Sequence, residues 1–371
     1  MTSATSAEST GPSPMSGPTE LGASPAGGFV PFDLYMDEAL YSREAGFYQQ
    51  ESEVVGPRGA YYTAPHASPL YVATFARRIS AALRSLVGPP APRIVEVGPG
   101  DGRLAAGILS ALAQENEAPP GLGYTLVDRA APRLEQSFRA AERAAESTSI
   151  RVRRAMRLGE EGPFRGVVIF HELLDAQPVR RFEVDQGEWR ELGVSSDRGR
   201  RTPQSRSARY LPPAMPEAAA LEDGTIVEVA PAAETLLRDV GDLLVEGLAI
   251  VVDYGMEEDE LVHGHPRGTL EGLRGHRVVS DPLLADEPRD LSVFVNWTRL
   301  RRAGERAGLR LIADEPLSRA LLAWGIEPLA RAAQAQPRGA EEGVRLQLGL
   351  KNLLFGFERF RALEFVTGTG R

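Results

Sequence analysis

The stretch Arg93-Ile94-Val95-Glu96-Val97-Gly98-Pro99-Gly100-Asp101-Gly102 decides the fold. Ile94, Val95 and Val97 form a short apolar run of the kind a buried parallel strand shows. Glu96 interrupts the run, and Gly98, Gly100 and Gly102 follow at alternate positions. Arg103, Leu104, Ala105, Ala106, Ile108 and Leu109 then read as a helix. Strand, glycine turn and helix in that order predict an α/β protein with a doubly wound, Rossmann-like sheet. In such sheets a nucleotide-like ligand sits at the carboxyl ends of the strands.

The turn is not the dinucleotide form. That form spaces its glycines GxGxxG and seats a pyrophosphate on the helix N-terminus. Here the third glycine comes one residue early, and Asp101 lies inside the turn, where a carboxylate repels a pyrophosphate. Glu96 adds a second acid just before it. A cofactor with a cationic end fits better, and S-adenosylmethionine carries an ammonium and a sulfonium but no phosphate. GYTLVD, 123–128, reads as the next strand, and Asp128 at its end can accept hydrogen bonds from both hydroxyls of a ribose. The gap between turn and acid exceeds the ~20 residues of the dinucleotide pattern, and QENEAPPGLG, 114–123, loops out to absorb the excess. The expected cofactor-binding residues are therefore Glu96, Gly98, Gly100, Gly102 and Asp128.

The composition sets outer limits. The chain has 371 residues, of which 42% are hydrophobic and 25% charged, as in ordinary globular proteins. Its net charge of -9 argues against non-specific nucleic-acid binding, which needs a basic footprint. The absence of cysteine excludes disulfides, thiolate zinc sites and iron–sulfur ligation. Lys351 is the one lysine, so nearly all positive charge is arginine. Residues 1–28, rich in Ser, Thr, Pro, Ala and Gly, read as a disordered tail without the basic and apolar regions of a signal peptide. No apolar run reaches the ~18 residues of a membrane span. A cytoplasmic location is expected.

Beyond the tail, residues 29–92 form a helical and lid segment. FVPFDLYMDEALY, 29–41, has helical spacing. The aromatic-bearing loop 42–70 is expected to pack over something, because Tyr48, Tyr61 and Tyr62 are costly to expose. Helix 68–86 then leads into the glycine-turn strand. The main domain spans 93–330, with helix 131–146, strands at 150–156, 166–170 and 248–255, helix 231–245, and a closing strand–helix–strand unit. Such alternation points to a doubly wound sheet. An insertion at 180–226 breaks the pattern: RFEV and WRELGV form a hairpin, and the basic stretch 195–213 reads as a solvated loop. Residues 331–371 carry no assigned role.

Outside the turn, the densest polar cluster is HELLDAQPV, 171–179, directly after the apolar run 166–170. Glu172 and Asp175 lie three apart, so one helical turn would point both the same way. His171 could act as a base near neutral pH. With these as catalytic candidates, the acceptor side is completed by a lid and substrate set: Tyr61, Tyr62, Thr63, Asp253, Tyr254 and His276. His263 and His265, in HGH, read as a surface loop, and no metal site is expected. Methyl transfer is an in-line displacement in which alignment alone can supply roughly 7–11 kcal/mol. Paired acids add something specific when the nucleophile is a guanidinium. Its pKa exceeds 12, and carboxylates can orient it bidentately.

The stretches EVGPGDGRLAAGIL, HELLDAQPVRRFEV, VVDYG, GTLEGLRGHRV, YMDEALYSREAGFY and YYTAPHASPLY together resemble the MidA-like S-adenosylmethionine-dependent methyltransferases, in order from about Phe32 to about Gly325. A mitochondrial member of that family is a protein arginine methyltransferase that aids assembly of respiratory complex I. The resemblance implies a class I methyltransferase sheet with an added lobe. It also implies cofactor contacts at Gly98, Gly100, Gly102 and Asp128, with Glu172 and Asp175 near the acceptor, and a protein as substrate. The chain departs from the family at Ala60, where an acid is usual, and at Phe294 and Asn296, where a His and an Asp are usual. A small-molecule methyltransferase on the same fold and a non-catalytic, cofactor-binding assembly factor remain alternatives.

Overall fold

The computed structural model describes residues 28–50, 63–114, 118–160, 162–197, 200–274, 277–278, 289–335 and 339–367. Its central sheet contains Arg93–Val97 (β1), Gly123–Val127 (β2), Arg151–Ala155 (β3), Phe164–His171 (β4), Leu244–Met256 (β5), Leu309–Pro316 (β6) and Phe360–Thr367 (β7). Across the sheet the order is β6-β7-β5-β4-β1-β2-β3, with the short strand Val295–Asn296 beside β5. Strands β1 to β5 run parallel where they pair, and β7 lies antiparallel between β5 and β6. The strand order reverses between β1 and β4, which puts the ligand crevice of a doubly wound sheet there.

The strands read as apolar runs because both of their faces are covered. On β4, Val167 and Ile169 join one core with Phe75, Ile79 and Ile108. Val168 and Phe170 join the opposite core with Leu237, Val240 and Trp297. The first core is closed by helices Pro69–Ser85 (α1), Arg103–Gln114 (α2) and Ala131–Ala145 (α3), and the second by Pro231–Leu243 (α4) and Trp297–Arg306 (α5). Helix α1 starts as its sequence dictates, with Pro69 in its first turn and the Ser68 hydroxyl accepting from the Leu70 amide. Asn296 caps α5 by accepting from the Arg299 amide, so amide replaces acid there without loss of the cap.

The added lobe is a second sheet in which Glu188–Asp197 pairs with Phe29–Pro31, Arg180–Asp185 and Arg200–Ser207, and Arg180–Asp185 pairs in turn with Ile226–Val229. The expected hairpin is present. The basic stretch at 195–213 is corrected in part: Arg200–Ser207 is a strand, with Pro203 opposite Val194. It lies on the lobe's edge, where a proline is tolerated. Helix Phe32–Tyr41 packs into the lobe core with Val179, Val194, Leu291 and Val293. Residues 331–371, to which the sequence assigns no role, supply β7 of the main sheet. Tyr61, Tyr62 and His276, along with Ala60 and the tail 1–27, fall outside the described residues. Among the described residues no helix is long and apolar enough to cross a membrane.

Candidate active site

The glycine turn forms as its sequence requires. Gly98, Gly100 and Gly102 have φ values of +69°, +56° and +82°, a region that favours glycine. The Gly98 amide donates to Val127 O (2.8 Å), tying the turn to β2. A cleft beside it is lined by the turn, Glu96, Thr63, Pro65, His171 and Glu172. Among the described residues no arginine or lysine lines it. Glu96 accepts from the Tyr124 hydroxyl (2.6 Å), and burial pushes its pKa from the usual 4.5 to about 8, against the pull of that hydrogen bond. Asp101 behaves oppositely. Burial raises it, but hydrogen bonds from His66 and the Arg103 amide outweigh that and hold it below the ordinary carboxylate value. At the end of β2, Asp128 Oδ1 accepts from the Ala130 amide (2.7 Å), while Oδ2 has no partner among the described residues. Burial raises this acid to about 6, and Arg133 and Arg129 partly offset the rise.

A folded value above the unfolded one fixes the sign of the pH dependence. Glu96 contributes its stability fully below about pH 4.5, and that contribution is lost as pH rises toward 8. The Glu96→Gln substitution keeps an acceptor for Tyr124. In the ligand-free protein it is expected to remove this loss, stabilising the fold at pH 9 by about 1.4 kcal/mol for each unit of the shift. Thermal melts of both proteins from pH 5 to 9 check this, and parallel profiles would contradict it.

The acceptor side is built on the segment after β4. It takes no helical turn, contrary to the sequence expectation. Glu172 has φ +50°, a strained value for a residue with a side chain, and such strain gathers at functional sites. Its amide donates to Val252 O, and its Oε1 accepts from the Ala64 amide (2.9 Å). Asp175 instead bonds the Tyr254 hydroxyl. Burial raises Glu172 to about 8 and Asp175 to about 6, and the Asp175 charge adds to the rise at Glu172.

Asp253 does not face a substrate as expected. It is fully buried, accepts from the Leu173 and Leu174 amides (3.1 and 2.8 Å), and so holds this segment in place. His171 needs a correction too. Its Nε2 lies 2.7 Å from the Tyr71 hydroxyl, its ring meets Tyr71 and Phe75 edge-on, and burial pushes its pKa down to about 3. That makes it a much weaker base than the sequence expectation of one poised near neutral pH.

Asp290 and His66 escaped the sequence reading, and Phe294, noted there only as a departure from the family, joins them. Asp290, 6% exposed, accepts from the Tyr48 hydroxyl (2.8 Å); burial and then the Asp175 charge raise it to about 7. Phe294 stacks edge-on with Tyr254, closing the same region. His66, on the segment after Thr63, reaches Asp101. The costly-to-expose tyrosines of loop 42–70 were the available signal for the first. Among the described residues no cluster of His, Asp or Glu suits a metal.

Sheet order, a glycine turn carrying an acid, and a second acid at the tip of the neighbouring strand define the class of S-adenosylmethionine-dependent methyltransferases. Residues 74–313 match the model of the family described as S-adenosyl-L-methionine-dependent methyltransferases, and the chain belongs to that family. A protein from Burkholderia thailandensis, solved with S-adenosyl-homocysteine bound, is 30% identical with a TM-score of 0.79, over 93% of this chain and 89% of that one. The mitochondrial protein arginine methyltransferase NDUFAF7 of Mus musculus is 27% identical over 73% of this chain and 65% of its own length. Its Drosophila melanogaster homolog is 26% identical over 76% of this chain and 68% of its own. The chain thus spans about two thirds of these curated relatives.

Proposed function

We propose that this chain transfers a methyl group from S-adenosylmethionine to the guanidinium of a protein arginine. When bound, S-adenosylmethionine supplies a methyl group on a positively charged sulfur. The donor set fits that molecule. Asp101 and Glu96 face a cationic end, the cleft offers no arginine or lysine to a phosphate among the described residues, and Asp128 keeps an oxygen for a ribose hydroxyl. Asp128→Ala is expected to weaken binding of S-adenosylhomocysteine by about 1–3 kcal/mol, read by calorimetry; an unchanged affinity would remove Asp128 from the site.

One observation carries the acceptor assignment. Glu172, Asp175 and Asp290 are buried near one another with raised pKa values, and among the described residues none is paired with an arginine. Three other acids with little exposure do have that partner: Glu191 binds Arg180 and Arg206, Glu364 binds Arg78, and Glu228 binds Arg181. The buried Glu96 and Asp253 do not, but they accept from Tyr124 and from the Leu173, Leu174 and Tyr254 amides, respectively. Burying several carboxylates without a cation is costly. An incoming guanidinium supplies the missing charge. Its carboxylate partners orient one nitrogen toward the methyl group and take the proton that nitrogen loses as the N–C bond forms and the C–S bond breaks. The test is labelled S-adenosylmethionine with arginine-bearing peptides, followed by amino-acid analysis. Label in methylarginine supports the proposal; label confined to small molecules or to other side chains overturns it.

A further inference from the structure

We propose that His66 is a positioning residue for the cofactor: it fixes the Asp101 carboxylate toward the ammonium end of S-adenosylmethionine. The proposal rests on the methyltransferase reading and extends it to a residue outside the glycine turn. His66 Nε2 lies 3.1 Å from Asp101 Oδ2, and the Thr63 hydroxyl lies 2.8 Å from His66 Nδ1. An ionised carboxylate can only accept, so Nε2 carries the hydrogen. In the neutral ring Nδ1 is then bare and accepts from the Thr63 hydroxyl. The Asp101 carboxylate therefore sets the tautomer, and the Thr63 hydroxyl, which can donate or accept, donates to Nδ1 and holds the ring in place. The imidazole is 3% exposed, and the second carboxylate oxygen is held by the Arg103 amide (3.0 Å). With both oxygens tethered, the carboxylate has one orientation, and it lines the cleft together with Thr63 and Pro65. The same short segment donates the Ala64 amide to Glu172, so it braces the cofactor turn and the acceptor segment together.

The test separates the two ends of the cofactor. S-Adenosylhomocysteine carries the ammonium, whereas 5′-methylthioadenosine has the same nucleoside and thioether without it. Calorimetry is done with both ligands on the full chain and on His66→Ala, His66→Gln and Thr63→Val. His66→Ala is expected to weaken S-adenosylhomocysteine about tenfold and 5′-methylthioadenosine less than about twofold, as loss of one charge-assisted contact implies. His66→Gln, whose amide can donate to Asp101, recovers most of the loss, and Thr63→Val falls between. Equal weakening of both ligands, or none, overturns the proposal. If His66→Ala does not fold, the Thr63→Val ratio decides in the same way. If the parent protein binds neither ligand, the cofactor reading itself has failed, an outcome distinct from the other two.

Discussion

Gly102→Val is expected to abolish S-adenosylhomocysteine binding, with a loss beyond the range calorimetry reads at ordinary concentrations. At φ +82° a Cβ would sit 2.7 Å from Ser137 Cα and 2.8 Å from Ser137 O. Those are backbone atoms of α3, so no side-chain rotation relieves the clash. The left-handed backbone costs a residue with a Cβ roughly 1–2 kcal/mol, and overpacking adds about 1–3 kcal/mol. Relief requires α3 to move away from the turn. Helix α3 follows directly on Asp128 and Ala130, and its Arg133 offsets the Asp128 charge. The glycine turn and Asp128 therefore shift together. Gly98→Ala is the milder comparison: its Cβ would meet the tip of the Leu173 side chain at 2.6 Å, which can turn aside. It should retain weakened binding and a melting temperature above that of Gly102→Val. Parent-like affinity in Gly102→Val would mean that the ligand lies elsewhere.

What was legible in the sequence was local chemistry. Gly98, Gly100 and Gly102 have one conformational use, and the apolar run before them has one place to go. Asp128 followed from the strand that it ends. The misread elements depend on pairing across long separations. Phe360–Thr367 looks like an ordinary apolar tail until it lies between Leu244–Met256 and Leu309–Pro316. Arg200–Ser207 reads as a loop because of its proline and arginines, yet edge position tolerates the one, and Glu191 pairs with Arg206. Side-chain roles were the hardest to read, since a histidine or an aspartate carries no mark of its burial. His171 sits where a catalytic group was expected and Asp253 where a substrate contact was, and both hold the scaffold. Asp290 and Tyr48 bond across 242 positions, and no local pattern announces such a pair.

Asp175→Asn is expected to lower turnover on an arginine acceptor by on the order of 10²-fold or more, in the range that positioned proton-transfer groups contribute. The substitution keeps an oxygen for Tyr254 and lies outside the lining of the cofactor cleft, so affinity for S-adenosylhomocysteine should stay within about twofold of the parent. The pH dependence sharpens the test. Glu172 and Asp175 titrate at about 8 and 6 in the ligand-free protein. Below those values they are protonated and offer no charge to a guanidinium, so kcat/KM should rise with pH through that window. The profile of kcat describes the enzyme with acceptor bound. There the guanidinium favours the ionised carboxylates and pulls both values down. Its rising limb should therefore lie at lower pH than that of kcat/KM. Removing the Asp175 charge also relieves Glu172, whose own value should fall and carry the kcat/KM limb of Asp175→Asn to lower pH. A limb unmoved by that substitution, or full activity without the Asp175 carboxylate, would show that these acids serve the fold and leave the acceptor to other groups.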